Sequence, residues 1–295
     1  ETTLYIVVLV VILATLLLVG IWQSRKVRTK ADFMVAGRGL GWPVLVFTLL
    51  SSWIGAGSLF AGAENAFRNG LAALWQPAGG WAGLAVIALI AGRARRFAQY
   101  TVPDLLEVRY SRFARLFGTL AIVIAYTGIT SYQFRGGGDI LHLIFPDSIS
   151  QAQGMYIIAA FVITFTALAG MASVAYLDLV IGLLVTITAC TALPLLIGYG
   201  GGWGQIRATL PENHFTVLGP LRWYQALNFF LPVLFLILGN QAMYQKFFSA
   251  RSERDAKVAV GGWIVGTLLL ETVIVFLAVA GSAIFGQPSY KAVID

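Results

Sequence analysis

Long apolar stretches, separated by short segments rich in glycine, proline and charged residues, run through the whole chain. A membrane-spanning helix needs about 20 apolar residues, and eight stretches of the sequence match that length. Because the sequence lacks the strict alternation of apolar and polar residues that a β-barrel strand requires, the pattern predicts helices. The predicted spans are residues 3–22, 43–63, 71–92, 116–134, 152–170, 173–198, 223–245 and 258–286.

The ends of the fourth, fifth and sixth spans need a fuller description. We expect the fourth span to continue past Phe134 into Arg135. The fifth and sixth spans are separated only by the link Gly170-Met171-Ala172.

The composition places the chain in the membrane. Hydrophobic residues make up 58% of it and charged residues only 11%, whereas a soluble domain carries about 25% charged residues. So few charges cannot cover the surface of a soluble globule, and a disordered chain is never this apolar. We expect no enzyme activity, because the sequence contains no phosphate-binding loop, metal-ligand spacing or nucleophile–base set.

The positive charges are distributed unevenly between alternate loops. The loops after the first, third and seventh spans hold 15 of the 20 cations, the opposite loops hold 4, and Arg135 is left over. Since cytoplasmic loops carry the excess of Lys and Arg, the sequence predicts a multi-pass plasma (inner) membrane protein. Its N-terminus should lie on the extracellular or periplasmic side, and its cations mark loops, so we expect no nucleic-acid partner. The 15 cations are Arg25, Lys26, Arg28, Lys30, Arg38, Arg93, Arg95, Arg96, Arg109, Arg112, Arg115, Lys246, Arg251, Arg254 and Lys257, and the 4 are Arg68, Arg207, Arg222 and Lys291.

Two spans carry residues that interrupt helices. Three serines and two glycines occur within residues 51–58 of the second span, and the seventh holds Pro232 followed by Gly239-Asn240. Unwinding there would free backbone carbonyls at mid-membrane depth, and an offset of five helices is expected of inverted five-helix repeats. Small residues also permit close helix packing, so the spacing alone leaves a transporter and an unspecified helical membrane protein both open.

Several segments, in the same order along the chain, resemble the sodium:solute symporter family. The resemblance covers essentially the whole chain, with Leu177 standing where the family's signature has threonine. The segments are Asp32 to Gly41 (DFMVAGRGLG), the Ser/Gly-rich helix with Asn69-Gly70, Thr101 to Tyr110 (TVPDLLEVRY), Ala169-Gly170 to Asp178, and Asn240 to Ser252 (NQAMYQK…SARS).

The resemblance implies an all-α, leucine-transporter-like fold of five plus five inverted-repeat helices after one extra N-terminal helix. In a single transporter domain over 1–295, residues 1–24 would be the extra helix and 43–198 the first repeat. Residues 223–286 would then be the first two helices of the second repeat. Because the chain begins with Glu rather than Met and stops soon after the eighth span, we expect a truncated transporter that lacks the later core helices.

The resemblance also implies a sodium site. The backbone carbonyls of Ser51 and Ile54, and less firmly Ser52, would bind the ion, since such oxygens suit sodium. The partner hydroxyls would follow Asp295. Asp178 would lie on the inner sodium route or at a second sodium site; the alternative is a hydrated acid at the cytoplasmic end. The serines would otherwise bond back onto their own helix.

A further group of residues would bind the transported solute. Ser58, Gln76 and Trp53 are candidates from the second and third spans. Arg135 is a candidate clamp, because a guanidinium binds a carboxylate through two parallel hydrogen bonds. The alternatives for Arg135 are an i,i+4 pair with Asp139 or a side chain that reaches the outer interface.

Glu271 lies in the middle of the eighth span, where a carboxylate is costly. It would either face the cavity and pair with Arg135 or a substrate amine, or pack against a hydroxyl while protonated.

The residues and the resemblance together predict a sodium-coupled symporter. It would import a small polar organic solute, carboxylate-bearing or zwitterionic, by alternating access. The expected partners are the solute, the sodium ion and the lipid bilayer, with no cofactor besides sodium. The alternative is a transporter-like sensor module of a membrane signalling protein.

Overall fold

Helices form nearly all the regular structure in this computed structural model, which describes residues 2–25, 27–97 and 100–286. Within those residues the exception is an isolated bridge between Leu40 and Ala250. A π-helical turn (Gly57–Ala61) and three short 3-10 segments (Ala36–Arg38, Gly70–Leu74, Glu212–Phe215) lie between α-helices. The α-helices are α1 (Thr2–Ser24), α2 (Lys30–Val35), α3 (Trp42–Trp53), α4 (Gly62–Asn69), α5 (Trp75–Phe97), α6 (Val102–Arg109), α7 (Arg112–Ile144), α8 (Gln151–Tyr199), α9 (Trp203–Thr209), α10 (Trp223–Leu238), α11 (Gln241–Ser249) and α12 (Glu253–Phe285).

Each predicted span coincides with one of these helices or with a pair of them. In the described residues, five helical stretches are long and apolar enough to cross a membrane, and α3 is a shorter apolar helix. The multi-pass, all-helical class is therefore confirmed. The second and seventh spans are each divided, at residues 54–56 and at Gly239-Asn240. Lys26 and Lys291, counted among the loop cations above, lie outside the described residues.

The fourth span is longer than predicted. α7 has 33 residues, about 50 Å at 1.5 Å per residue, so the helix continues past Phe134 into Arg135, as expected, and on to Ile144. The following glycines continue the helix because they pack against α8. A Cβ on Gly138 would lie 2.7 Å from the backbone nitrogen of Met155, and one on Gly154 would lie 2.8 Å from the carbonyl oxygen of Gly138.

Gly170 divides α8 into two helical segments, as the predicted link requires. Its backbone angles, φ 67° and ψ 172°, are not helical, and only glycine adopts this region readily. The two segments correspond to the fifth and sixth predicted spans.

The chain forms two compact units, and the first contains Glu1–Ser52, Ile90–Ile181 and Gln241–Ala259. Within it the loops that follow the first, third and seventh predicted spans meet. The Leu40 N–H donates to the carbonyl of Ser249 (3.1 Å), and the Arg251 N–H donates to that of Leu40 (2.8 Å). The Arg95 guanidinium donates to the carbonyl of Ala250 (2.5 Å). The loops predicted to share the cytoplasmic side are thus joined directly.

Capping residues fix the starts of the short helices in this unit. Thr101 and Asp104 form a capping box at the start of α6, and Thr29 and Asp32 form another at α2. Hydrogen bonds from the Thr29 side chain and from the backbone of Arg28 and Thr29 hold the pKa of Asp32 below its ordinary value.

Ser252 and Asp255 form a similar contact at the start of α12. The Asp255 N–H donates to the Ser252 hydroxyl oxygen (3.0 Å). The Asp255 carboxylate accepts from that hydroxyl and from the Trp42 N–H (3.1 Å), so it ties α12 to the start of α3.

The second unit contains Trp53–Leu89, Gly182–Asn240 and Val260–Asp295. Its loops pack so closely that glycine is required at Gly70 (φ 64°), where a Cβ would collide with the backbone of His214. Burial of His214 lowers the pKa of its imidazole. Glu64 and Arg68 form an i,i+4 ion pair on α4, at 2.8 Å.

Candidate functional site

The second predicted span is interrupted in the middle of its Ser/Gly-rich segment. α3 ends at Trp53, the chain bends at Ile54 and Gly55, and the π-helical turn begins at Gly57. The last four carbonyls of a helix have no partner within it. Those of α3 include Ser51 and Ser52, and the carbonyl of Trp53 accepts from the Ser58 hydroxyl (3.5 Å). The predicted interruption is confirmed, and the end of α3 leaves backbone carbonyls without a partner in their own helix, as cation ligands require.

A cluster of polar groups surrounds Asp178 in the first unit. One oxygen of its carboxylate accepts from the Thr48 hydroxyl (2.5 Å) and the Ser52 hydroxyl (3.5 Å). The same oxygen lies 3.5 Å from the ammonium of Lys246. Ser52 and Asp178, both predicted to bind sodium, are therefore neighbours, and the predicted alternative of a merely hydrated acid does not describe this carboxylate.

The sequence predicts that Lys246 is a cation of a cytoplasmic loop, and this prediction is wrong. The residue lies in α11 and is 3% exposed. Its ammonium donates to the Thr48 carbonyl (2.5 Å) and to the Ser52 hydroxyl. The two phenylalanines that follow it, Phe247 and Phe248, are buried as well, but the sequence alone does not show which distant groups cover them.

Glu271 is held by two tryptophans of the second unit. It is 7% exposed, and each of its carboxylate oxygens accepts one indole N–H, from Trp53 and Trp81, at 2.8 Å in both cases. The expectation that Glu271 packs against a hydroxyl is therefore wrong, because indole donors take that place. Trp53 and Glu271, both predicted to bind the solute, are in direct contact.

A third tryptophan stands beside this pair with an unused donor. The ring of Trp263 meets that of Trp53 edge to face, with centroids 6.2 Å apart. Trp263 is 1% exposed, and its indole N–H has no hydrogen-bond partner among the described residues. Buried donors are nearly always paired, so this N–H is available to an acceptor on a bound molecule or a water.

Gln76 lines a polar cavity of about 540 Å³ within the second unit. Its side-chain oxygen accepts from the Asn65 amide (3.3 Å), whose own oxygen accepts from the Asn69 amide (2.7 Å). Ser58 does not line this cavity. The lining residues are Ala61, Glu64, Asn65, Arg68, Asn69, Gln76, Asn228, Phe229, Pro232 and Val233.

Arg135 lies on α7, nine residues before the helix ends at Ile144, so it is about 13 Å from that end. Its side chain is exposed. The alternative of an ion pair with Asp139 is not observed in the described part of the chain, and Asp139 instead accepts from the Gln151 amide. Among the described residues, the guanidinium therefore has no anion within ion-pair distance.

The sequence of the chain is similar to those of known transporters. The family model for the sodium:solute symporters matches residues 33–293. The chain is 25% identical over 290 residues to the sodium/pantothenate symporter of Escherichia coli (strain K12), covering 90% of this chain and 57% of that protein. It is 27% identical over 302 residues to the human sodium/iodide cotransporter, covering 91% and 42%.

A solved structure has a similar fold. The structure of a Na⁺-coupled sialic acid symporter in a substrate-bound, outward-open state superimposes with a TM-score of 0.83 at 18% identity. The match covers 96% of this chain and 61% of that one, so the chain corresponds to part of a transporter fold. The family match extends over most of the sequence, and the chain belongs to the sodium:solute symporter family.

Proposed function

We propose that this chain is part of a sodium-coupled symporter that imports a small polar organic solute by alternating access. The single observation that carries the proposal is the interruption of α3 at Ile54 and Gly55. An interrupted helix in an apolar region provides carbonyl oxygens that replace the hydration shell of a small cation.

The proposed architecture is the leucine-transporter-like arrangement of two inverted five-helix repeats after the extra helix α1. It is supported by the positions of the two interruptions, after α3 and between α10 and α11, which are five predicted spans apart. The proposed orientation, with the N-terminus outside, is supported by the charge bias and by the contacts among the cation-rich loops.

We propose Ser51, Ile54 and Ser52 as sodium ligands through their backbone carbonyls. Ile54 is 8% exposed, so an ion at its carbonyl would lose most of its water and interact more strongly with its protein ligands. Asp178 would attract the ion on its inner route, since its carboxylate already accepts from the Ser52 hydroxyl.

The proposed solute carries a carboxylate, or both a carboxylate and an amine. Three features support an acceptor-bearing solute: the exposed guanidinium of Arg135, the unused indole N–H of Trp263, and the carboxamides around Gln76. We propose that Trp53 and Glu271 form one wall of the solute site and that Ser58 adds a hydroxyl near the interruption. Glu271 would also offer a negative charge to the amine of a zwitterion.

Uptake into proteoliposomes tests this function. We expect accumulation of a carboxylate-bearing solute when sodium is applied outside and none when potassium replaces it, because the proposed mechanism couples uptake to the entry of sodium. The matched comparison is the neutral amide of the same solute, which should be taken up poorly. Equal uptake in potassium would contradict sodium coupling, and equal uptake of the amide would contradict the proposed solute class.

A further inference from the structure

We propose that Lys246 is a tethered cation that competes with sodium for the oxygens around Asp178, and so sets the affinity of the transporter for sodium. This inference rests on the proposed sodium coupling and concerns the regulation of the same route. Sodium reaching these oxygens would have to displace the ammonium, and return of the ammonium would expel the ion.

The ammonium of Lys246 is surrounded by the kinds of oxygen that bind a metal cation. It contacts a backbone carbonyl (Thr48, 2.5 Å), a hydroxyl (Ser52) and a carboxylate (Asp178, 3.5 Å). These groups come from α3, from the second segment of α8 and, for the lysine, from α11. The set would serve sodium equally well, since sodium takes carbonyl, hydroxyl and carboxylate oxygens without strict geometry.

The cluster has room for one positive charge. Among the described residues, Asp178 is the one carboxylate in contact with this ammonium, and Lys246 is almost fully buried. Two cations a few ångströms apart in such a place repel strongly, because the protein interior screens charge less than water does. Binding of sodium and binding of the ammonium are therefore mutually exclusive.

The geometry also allows exchange. Ser52 is exposed, so an ion can approach from that side without crossing the buried Thr48. The flexible four-carbon stem of a lysine lets its ammonium swing away while the backbone stays in place. The nearby end of α3 carries partial negative charge from its carbonyls, which attracts either cation.

Substitution Lys246→Met removes the competitor while keeping the length of the side chain. In proteoliposomes we expect the sodium concentration for half-maximal uptake to fall roughly 3- to 10-fold, because no ammonium then occupies the sodium-binding oxygens. The maximal rate should fall as well, since sodium leaves more slowly. Lys257→Met, which removes an exposed lysine of α12, is the matched control and should behave as the unaltered protein.

A second measurement needs no substitution and keeps the test valid if Lys246→Met does not fold. The purified protein is treated with a small amine-acetylating reagent in sodium or in potassium, and labelling is located by mass spectrometry. We expect sodium to accelerate acetylation of Lys246 and to leave that of Lys257 unchanged.

The outcomes separate this inference from the proposed function. If uptake needs sodium but neither the half-maximal concentration nor the labelling of Lys246 changes as described, the competition is wrong and the symporter remains. If uptake proceeds equally in potassium, the proposed sodium coupling is itself wrong.

Discussion

Asp178→Asn is expected to destabilise the protein by about 3–5 kcal/mol, the usual cost of removing one partner from a buried ion pair. The substitution leaves the ammonium of Lys246, which is 3% exposed, without a counter-charge. It also replaces one carboxylate oxygen with an NH₂ group, so a single oxygen remains to accept from the Thr48 and Ser52 hydroxyls. Thermal unfolding of the purified protein in detergent measures the effect as a lower midpoint temperature.

The double variant Asp178→Asn with Lys246→Met is the control for this prediction. It removes both charges, so most of the lost stability should return, while sodium-dependent uptake should not. An unfolding midpoint for Asp178→Asn equal to that of the unaltered protein would mean that the pair is solvated rather than buried.

Glu271→Ala is expected to lower the free energy of unfolding by roughly 2–6 kcal/mol. The carboxylate accepts the indole N–H groups of Trp53 and Trp81, and each buried donor left unpaired costs about 1–3 kcal/mol. Glu271→Gln should have about half the effect, because a carboxamide offers one acceptor oxygen and turns its NH₂ group toward the second indole.

Glu64→Ala provides the matched control, since Glu64 forms an exposed pair with Arg68, and exposed pairs contribute about 0–1 kcal/mol. Thermal unfolding of the three variants side by side gives the comparison. Similar midpoints for Glu271→Ala and Glu64→Ala would show that the two indoles find other acceptors.

The spans and their interruptions could be predicted because they depend on local composition. Apolar length defines a membrane helix, and the serines and glycines of residues 51–58 weaken one locally. The end of α7 could not be predicted in the same way. Gly136, Gly137 and Gly138 suggest a helix end, but their effect depends on the backbone of α8, which packs against them.

The sequence identifies individual residues of the candidate site but not the contacts between them. Polar groups in an apolar span stand out, so Asp178 and Glu271 were found, but their partners lie far away in the sequence. Trp81 is 190 residues from Glu271, and Lys246 is 68 from Asp178. A single sequence contains no information about which distant side chains meet, and for that reason Lys246 was placed in a loop.

Binding of radioactive sodium to the purified protein tests directly whether the interruption of α3 forms the sodium site. We expect saturable binding that excess potassium does not displace. We also expect the double variant Gly55→Ala, Gly57→Ala to lose most of that binding. Alanine favours helix over glycine by about 1 kcal/mol per site, so the change would favour an unbroken helix, and a Cβ at Gly57 meets no atom within 4 Å. Gly261→Ala, equally free of neighbours on α12, should bind as the unaltered protein does. Undiminished sodium binding by the repaired variant would contradict the claim that the interruption of α3 forms the sodium site.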